Sequence, residues 1–284
     1  MAVNGVMQDA TKSGGLGYFD ADSMIQRVHR ERALHLYGPR ALLMQATHPL
    51  AVSGLLAHST TFDEPYDRLA RTAEVMDTIY FGSRAEADRI TRGVRGMHDR
   101  VKGKIKEPTG SFPAGTPYRA DDPELLLWVL FTLVDSGVVV YRKYVGQMTR
   151  AQEASYWEDY RLVGGLFGLA DSDMPATLTE LHEYKREMLE GDRLHVTDWA
   201  RDRARQIVLE PPVPFYIRPL LETVNFITIA LLPDRIRCEY GFSALPPVAI
   251  RRALVAGGAE YVKRAVVPFL PGRLRHVPSA RAAA

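Results

Sequence analysis

The sequence predicts an all-α protein with a single large helical domain. Apolar residues recur at helical spacing in successive segments, most of which end before Gly or Pro. Strand-like alternation is weak and confined to 213–217, and no polar linker divides the chain. With 284 residues, 46% of them hydrophobic, the chain can bury a substantial core. We expect a flexible N-terminal segment over 1–19, the helical domain over 20–265, and a C-terminal tail over 266–284 whose last residues fray.

Local signals place the helices in order. The first runs from an aspartate start to the stop at Gly38-Pro39. Two short apolar helices follow, divided at His48-Pro49 because proline disfavours helical backbone at the residue before it. After a helical hairpin over 65–103, further helices are predicted in "DDPELLLWV", "TRAQEASYWEDYRLVGGLFG", "TLTELHEYKREMLEG", "VTDWARDRARQIVLE", "RPLLETVNFITIALL" and "PVAIRRALVAGGAEYVKRAV".

One apolar run has the composition of a membrane segment. It is "LLLWVLFTLVDSGVVVY", residues 125–141, and the polar triplet of Asp135, Ser136 and Gly137 interrupts it. A membrane span needs about 20 apolar residues, which is longer than this run. A helix that is apolar all round is typical of the centre of a bundle. We therefore expect a core helix and no integral membrane segment.

Composition excludes several classes of function. The net charge of +2 and the lack of a basic run interleaved with aromatic residues argue against a nucleic-acid partner. Cys238 is the single cysteine, so the chain has no internal disulfide and no Cys-rich metal site. We interpret Cys238 as a small buried apolar residue rather than an axial thiolate ligand. The start "MAVNGVMQDATKSGG" has no export signal, which predicts a cytoplasmic protein.

Familiar catalytic motifs are also missing from the sequence. It contains no P-loop, no dinucleotide-binding glycine motif after a strand, no His-Glu-x-x-His and no Gly-x-Ser-x-Gly. It also lacks Cys-x-x-Cys-His, so any haem would be held without thioether bonds. A di-metal bundle ranks last among the possible functions, because no Glu-x-x-His pairs are seen on facing helices.

The helical hairpin carries the most informative residues. On its first helix, Arg68, Arg71 and Thr72 share a face that continues apolar, because residues three and four apart lie on one side of a helix. On its second helix, His98 lies on the apolar stripe that should face the core. Guanidinium groups suit carboxylates or phosphates, and an imidazole in such a place can bind metal. The alternative is a pair of packed helices with surface salt bridges and a core histidine.

Three further polar residues lie among apolar ones. His48 stands at the helix break and His58 just before a turn, so the pair could bind metal, or cap and pack helix ends. Asp135 lies in the predicted core helix, where an unpaired carboxylate is costly. It could pair with an arginine of the hairpin, orient His98 by accepting its second ring proton, or form a structural buried salt bridge.

Five segments together resemble one family. They are "LLMQATHPLAVSGLLAHS", "RLARTAEVMDTIYFG", "MHDRVKG", "YRADDPELLLWVLFTLVDS" and "LLPDRIRCEYGF", and they cover roughly residues 25–245. In their order and spacing they resemble the MpaB/latex-clearing-protein catalytic domains, which include rubber oxygenases. The resemblance implies an all-helical fold with a globin-like core, b-type haem as the iron cofactor, and oxidative cleavage of carbon–carbon double bonds.

The resemblance also implies roles for particular residues. His98 matches the proximal iron ligand of rubber oxygenases, and Arg68 and Thr72 match essential residues near the haem. A lysine that can cap the distal side of the iron is replaced here by Arg71, which stays protonated and is a poor metal ligand. Apart from the resemblance, their apolar setting assigns Asp135 to the surroundings of the cofactor and makes His48 and His58 less favoured metal ligands.

These observations lead to one functional expectation and one alternative. We expect a haem b-dependent oxygenase or oxidase that uses dioxygen and a small apolar substrate, such as an isoprenoid or another unsaturated compound. Arg68, Arg71 and Thr72 are the expected catalytic residues, as donors to negative charge that develops on bound oxygen. Rubber oxygenases are secreted, and the missing export signal argues against polyisoprene itself. The alternative is a non-catalytic helical protein that binds haem or a lipophile. The sequence leaves the oligomeric state open.

Overall fold

The computed structural model describes residues 17–58, 65–209, 218–242, 259–260 and 262–282, and its regular structure is almost entirely helical. This confirms the predicted all-α class. The α-helices are α1 (Met24–His29), α2 (Tyr37–Gln45), α3 (Pro49–His58), α4 (Pro65–Phe81), α5 (Arg84–His98), α6 (Pro123–Tyr144), α7 (Arg150–Phe167), α8 (Leu178–Glu190), α9 (Asp198–Leu209), α10 (Arg218–Ala230), α11 (Asp234–Glu239), α12 (Gly272–Arg275) and α13 (Pro278–Ala282). Short 3-10 turns cover Arg32–Leu36, Asp171–Asp173 and Val267–Phe269, and a π-helical turn covers Val262–Val266.

Side chains cap the helices where the sequence predicts helix starts. The Ser83 hydroxyl accepts a hydrogen bond from the Glu86 backbone N–H, and the Glu86 carboxylate accepts one from the Ser83 N–H at 2.9 Å. Thr149 begins α7 with the same capping box. α2 and α3 are separate helices on either side of His48, as the ring of Pro49 predicts. The caps supply partners for backbone groups that a helix end leaves unbonded.

Helix α6 forms the centre of the molecule. It packs against α2, α7 and the Arg32–Leu36 turn, and most of its side chains are buried. Within the described ranges, α6 is the one helix that is long and apolar enough to cross a membrane, and its most apolar stretch has a mean hydropathy of 1.8. However, 78% of that stretch is buried inside the protein. Since the surrounding helices already cover its apolar surface, α6 is a core helix, as predicted.

A small β-hairpin links α5 to α6. Its strands, β1 (Lys102–Lys104) and β2 (Pro117–Arg119), are antiparallel and place Gly103 opposite Tyr118. The predicted helical hairpin over 65–103 is wrong at its end: α5 stops at His98, and Lys102 and Gly103 belong to β1. Strands of three residues are too short to show an alternating pattern in the sequence. The weak strand candidate at 213–217 lies outside the described residues.

The C-terminal tail docks onto the helical domain. Arg275 donates to the Glu31 carboxylate at 2.7 Å, and Glu31 is only 2% exposed. The Ser279 hydroxyl donates to Asp77 on α4 at 2.8 Å. The expected fraying of the tail is therefore wrong as far as residue 282, because a buried carboxylate needs a cation and the tail supplies it. The first 16 residues lie outside the described part of the chain.

Candidate functional site

The hairpin of α4 and α5 is buried at one end and open at the other. Near the turn between the helices, Ile79 and Tyr80 are 0% and 2% exposed. Two turns or slightly more back along α4, Arg71 and Thr72 are exposed. Since the two helices are packed together and the chain reverses between them, the first turn of α4 lies level with the last turn of α5. Arg71 and Thr72 therefore lie in the half of the hairpin that carries His98, which is about one helical turn further from the loop.

His98 occupies the last position of α5 and is half-buried. It continues a stripe on which Ala87 and Thr91 are buried and Val94 is half-buried, and its Nδ1 atom is buried. A basic residue in the last turn also interacts favourably with the helix dipole. His98 therefore stands where the covered face of α5 reaches the open end of the hairpin.

The other sides of α5 near His98 face solvent. Met97 is 49% exposed, as single apolar side chains on a protein surface often are. A Cβ atom added at Gly93 or Gly96 would meet no atom within 4 Å. Arg68 belongs to α4 at this end by its backbone, and its side chain lies outside the described residues.

His48 lies inside the protein, away from solvent. It is 0% exposed, and neither ring nitrogen has a hydrogen-bond partner among the described residues. Its Nε2 lies 3.9 Å from the Glu124 carboxylate, and its ring packs against Phe112. Burial, assisted by the positive charge of Arg193, lowers the pKa of His48 to about 4. His48 is therefore a neutral packed histidine at neutral pH.

His58 ends α3, and its side chain lies outside the described residues. Among the residues that the structure describes, no three His, Cys, Asp or Glu side chains come together as a metal site. Cys238 on α11 is exposed, so its interpretation as a buried apolar residue is wrong. These positions give no support to a bare metal ion held by several protein ligands.

Asp135 is buried and paired, as predicted, but its partners were not foreseen. Its carboxylate accepts from Arg40 of α2 at 2.7 Å and from Lys185 of α8 at 2.5 Å. Burial by itself would raise the pKa of Asp135, but the two cations outweigh it and hold that pKa below its usual range. Of the three predicted arrangements, the structural buried salt bridge is confirmed, and pairing with a hairpin arginine or with His98 is wrong.

The rest of the polar triplet in α6 also serves contacts with other helices. The Ser136 hydroxyl accepts from Arg40 at 2.7 Å. Gly137 lies against the hydroxyl of Tyr156, closer than any Cβ atom would allow. The interruption of the apolar run therefore docks α2 and α7 onto α6.

Five aromatic residues in the core form a group that the sequence did not predict. His29, Tyr37, Tyr80, Tyr156 and Tyr160 form this tyrosine–histidine cluster, which joins α1, α2, α4 and α7. Tyr156 and Tyr160 lie one turn apart on α7, and that spacing was the available signal. Four separate helices supply the cluster, so no sequence pattern could show that they meet.

The sequence model of one family, described as the catalytic domain of ER-bound oxygenase mpaB/B′ and rubber oxygenase, matches residues 26–265. The chain belongs to this family. The match includes the α4–α5 hairpin and α6, and it confirms the resemblance drawn from the sequence. Searches of curated proteins and of solved structures found no significant match. Membership indicates an oxygenase-type enzyme, for which a metal or haem cofactor is expected in general.

A porphyrin would need fewer protein ligands in this part of the hairpin than a bare metal ion. It supplies four iron ligands itself and needs only an axial side chain, and His98 is a half-buried imidazole. A group held by His98 would contact the half-buried stripe of α5 that includes Val94, because Met97, Gly93 and Gly96 face solvent on other sides of the helix. The exposed guanidinium of Arg71 suits the carboxylates of a porphyrin.

Proposed function

We propose that this protein is a haem b-dependent oxygenase or oxidase that acts on a small, largely apolar substrate. The observation that carries the proposal is the position of His98, on the covered stripe of α5 at the open end of the hairpin. Arg71 and Thr72 lie in the same half of the hairpin, and the family match spans all three residues. We further propose that the protein works in the cytoplasm.

Each residue has a distinct task in this proposal. His98 would hold the iron through its imidazole, and the half-buried side chains of α5 on the same stripe would contact the macrocycle. The planar guanidinium of Arg71 offers hydrogen-bond donors only, so it would pair with carboxylates and would not ligate iron. The cofactor supplies the activation of dioxygen when it is bound.

Arg68 and Thr72 are proposed to act on the substrate side. A guanidinium and a hydroxyl fixed on one helix face donate hydrogen bonds to negative charge that develops on oxygen. An apolar cavity near these groups would hold a hydrocarbon substrate, as most small-molecule sites are largely apolar. Isoprenoids and unsaturated lipids are therefore the substrate classes to test first.

The cofactor proposal is tested by titrating the purified protein with haemin and following the Soret band. His98→Ala should bind haem much more weakly and with an altered spectrum, because the axial ligand is lost. His35→Ala is the matched control, since His35 is exposed on the Arg32–Leu36 turn. The assignment is wrong if His98→Ala binds normally and His48→Ala or His58→Ala loses the band.

The catalytic proposal is tested by oxygen uptake with isoprenoids and unsaturated lipids. Arg68→Ala and Thr72→Ala should keep haem and fold but lose turnover. Haem binding without any consumption of oxygen or peroxide would favour the alternative function, a helical protein that carries haem or a lipophile. Exposed Met97 at the open end is compatible with that alternative.

A further inference from the structure

The tyrosine–histidine cluster places polar side chains in the buried core, where packing alone would not require polar atoms. His29 is 5% exposed, Tyr80 is 2% exposed, and Tyr156 and Tyr160 are fully buried. Phenylalanine would fill much the same space without any polar atom to satisfy. Buried polar groups are costly unless they are hydrogen-bonded, so this choice of side chains needs an explanation.

The polar atoms of the cluster form one connected network. His29 Nε2 lies 2.8 Å from the Tyr156 hydroxyl and 2.9 Å from the Tyr160 hydroxyl. The Tyr160 hydroxyl lies 2.6 Å from that of Tyr80. Tyr37 lies at the edge of the cluster, with its ring centroid 5.1 Å from that of His29. With the ring proton of His29 on Nδ1, the single lone pair of Nε2 accepts a hydrogen bond from one of the two phenols of α7, Tyr156 or Tyr160.

The aromatic rings are also in close contact. The His29 ring stacks on Tyr80 with a centroid separation of 4.2 Å, and the rings of Tyr156 and Tyr160 are 5.0 Å apart. Tyr80 and Tyr160 are separated by 6.2 Å. In such an arrangement a proton can move along the hydrogen bonds, and an electron can move between the neighbouring rings.

Protonation states are fixed by burial. Burial, and to a lesser extent the nearby His35, lowers the pKa of His29 to about 3, so its imidazole is neutral. Burial also raises the pKa values of Tyr156 and Tyr160 well above the usual range, so the phenols keep their protons. The resting cluster therefore consists of neutral phenols beside a neutral imidazole acceptor.

We infer that the tyrosine–histidine cluster is a redox site that holds a tyrosyl radical. Tyr160, or Tyr156 beside it, gives one electron to an oxidant. The phenolic proton moves along the existing hydrogen bond to His29 Nε2. The products are a neutral phenoxyl radical, an imidazolium and the reduced oxidant. One electron from a soluble reductant of the ascorbate class, with return of the proton from Nε2, restores the phenol.

The cluster lies within reach of the candidate site. Tyr80 and Thr72 belong to α4 and are separated by about 12 Å along its axis at the helical rise. Tyr37 precedes Gly38, where an added Cβ would lie 3.0 Å from Leu69 of α4. The physiological oxidant rests on the proposed function: it belongs to the class of one-electron oxidants that peroxide or dioxygen generates at an iron porphyrin.

The inference is tested with an added photochemical oxidant, so the experiment does not depend on haem. Protein without added haem is illuminated with ruthenium(II) tris(bipyridine) and pentaamminechlorocobalt(III), frozen after defined delays and examined by electron paramagnetic resonance. We expect a slowly decaying tyrosyl signal. The double variant Tyr156→Phe/Tyr160→Phe should lose most of this slow component, and His29→Gln should make it decay faster.

Tyr144→Phe is the matched control, because Tyr144 is a buried tyrosine whose hydroxyl has no hydrogen-bond partner in the described part of the structure. It should leave the slow component unchanged. If His29→Gln does not fold, Tyr160→Phe alone replaces it. An unchanged slow signal in the double variant, or none in the natural protein, would overturn the inference. Haem titration is a separate measurement, so failure of the cluster and failure of the haem proposal are distinguishable.

Discussion

The surroundings of Asp135 and the open end of the α4–α5 hairpin use arginine in opposite ways. Arg40 is 2% exposed and meets the Asp135 carboxylate inside the core, while Arg71 is exposed at the start of α4. A charge inside the core must be paired, since an unpaired one is costly. A charge at an open helix end contributes little to stability and is available to a ligand. Burial therefore separates the arginine that maintains the fold from the arginine that is a candidate for function.

The largest expected effect on stability comes from breaking the buried ion pair of Asp135 and Arg40. Asp135→Ala should lower the free energy of unfolding by roughly 3–5 kcal/mol, because Arg40 would remain buried without its carboxylate. Urea denaturation followed by circular dichroism measures the change. Asp121→Ala is the control: Asp121 pairs with Arg119 at the surface, where a pair contributes about 0–1 kcal/mol. Similar losses in the two variants would show that burial does not decide the value of these pairs.

Acid should destabilise the core through its two buried histidines. The pKa of His29 is lowered to about 3 and that of His48 to about 4, each chiefly by burial. The unfolded chain takes up these protons near pH 6.5, but the folded chain does not, so stability is complete above about 6.5 and falls as the pH drops towards 4. Each histidine contributes roughly 1.4 kcal/mol per pH unit in that window.

Urea denaturation at several pH values between 7 and 4.5 measures this slope. His48→Gln should reduce the slope, because the variant side chain takes up no proton in the unfolded state. A stability that stays flat from pH 6.5 to 5 would contradict the assignment of both histidines as neutral core groups.

Two glycine substitutions, one in the core around Asp135 and one on the α4–α5 hairpin, should change stability in opposite directions. Gly137→Ala should cost roughly 1–3 kcal/mol, because the new methyl group would overlap the Tyr156 hydroxyl in the core. Gly93→Ala should raise stability by up to about 1 kcal/mol, because its Cβ enters open space on an exposed helix position. Melting temperatures of the two variants check this. A loss at position 93 would mean that α5 is crowded there.

The smallest effect on stability should come from the open end. Arg71→Ala and Thr72→Ala should change the free energy of unfolding by no more than about 0.5 kcal/mol, as is usual for exposed positions. Haem affinity should fall in Arg71→Ala, since a partner for the propionates is removed. A clear drop in melting temperature for either variant would place these side chains in the fold rather than in a site.

Much of the helical framework could be predicted from local sequence. The Ser83 and Glu86 capping box and the break at Pro49 act between neighbours in the chain, so their effect does not depend on the rest of the molecule. The spacing of His98 on its stripe likewise placed it on the covered face of α5. The β-hairpin and the docked tail escaped prediction, because their partners lie far away in sequence.

The sequence by itself determined the break at Pro49, several helix starts, the covered faces of the helices and the side chains carried by the α4–α5 hairpin, because these properties depend on contacts within a few residues. It did not determine every helix end: the stop predicted at Gly38-Pro39 is wrong, because α2 runs through both residues. The tertiary structure alone decided that Asp135 meets Arg40 and Lys185, and that His29 meets tyrosines from three other helices. The sequence shows that a buried charge or hydroxyl must have a partner, but packing across the core determines which residue that partner is.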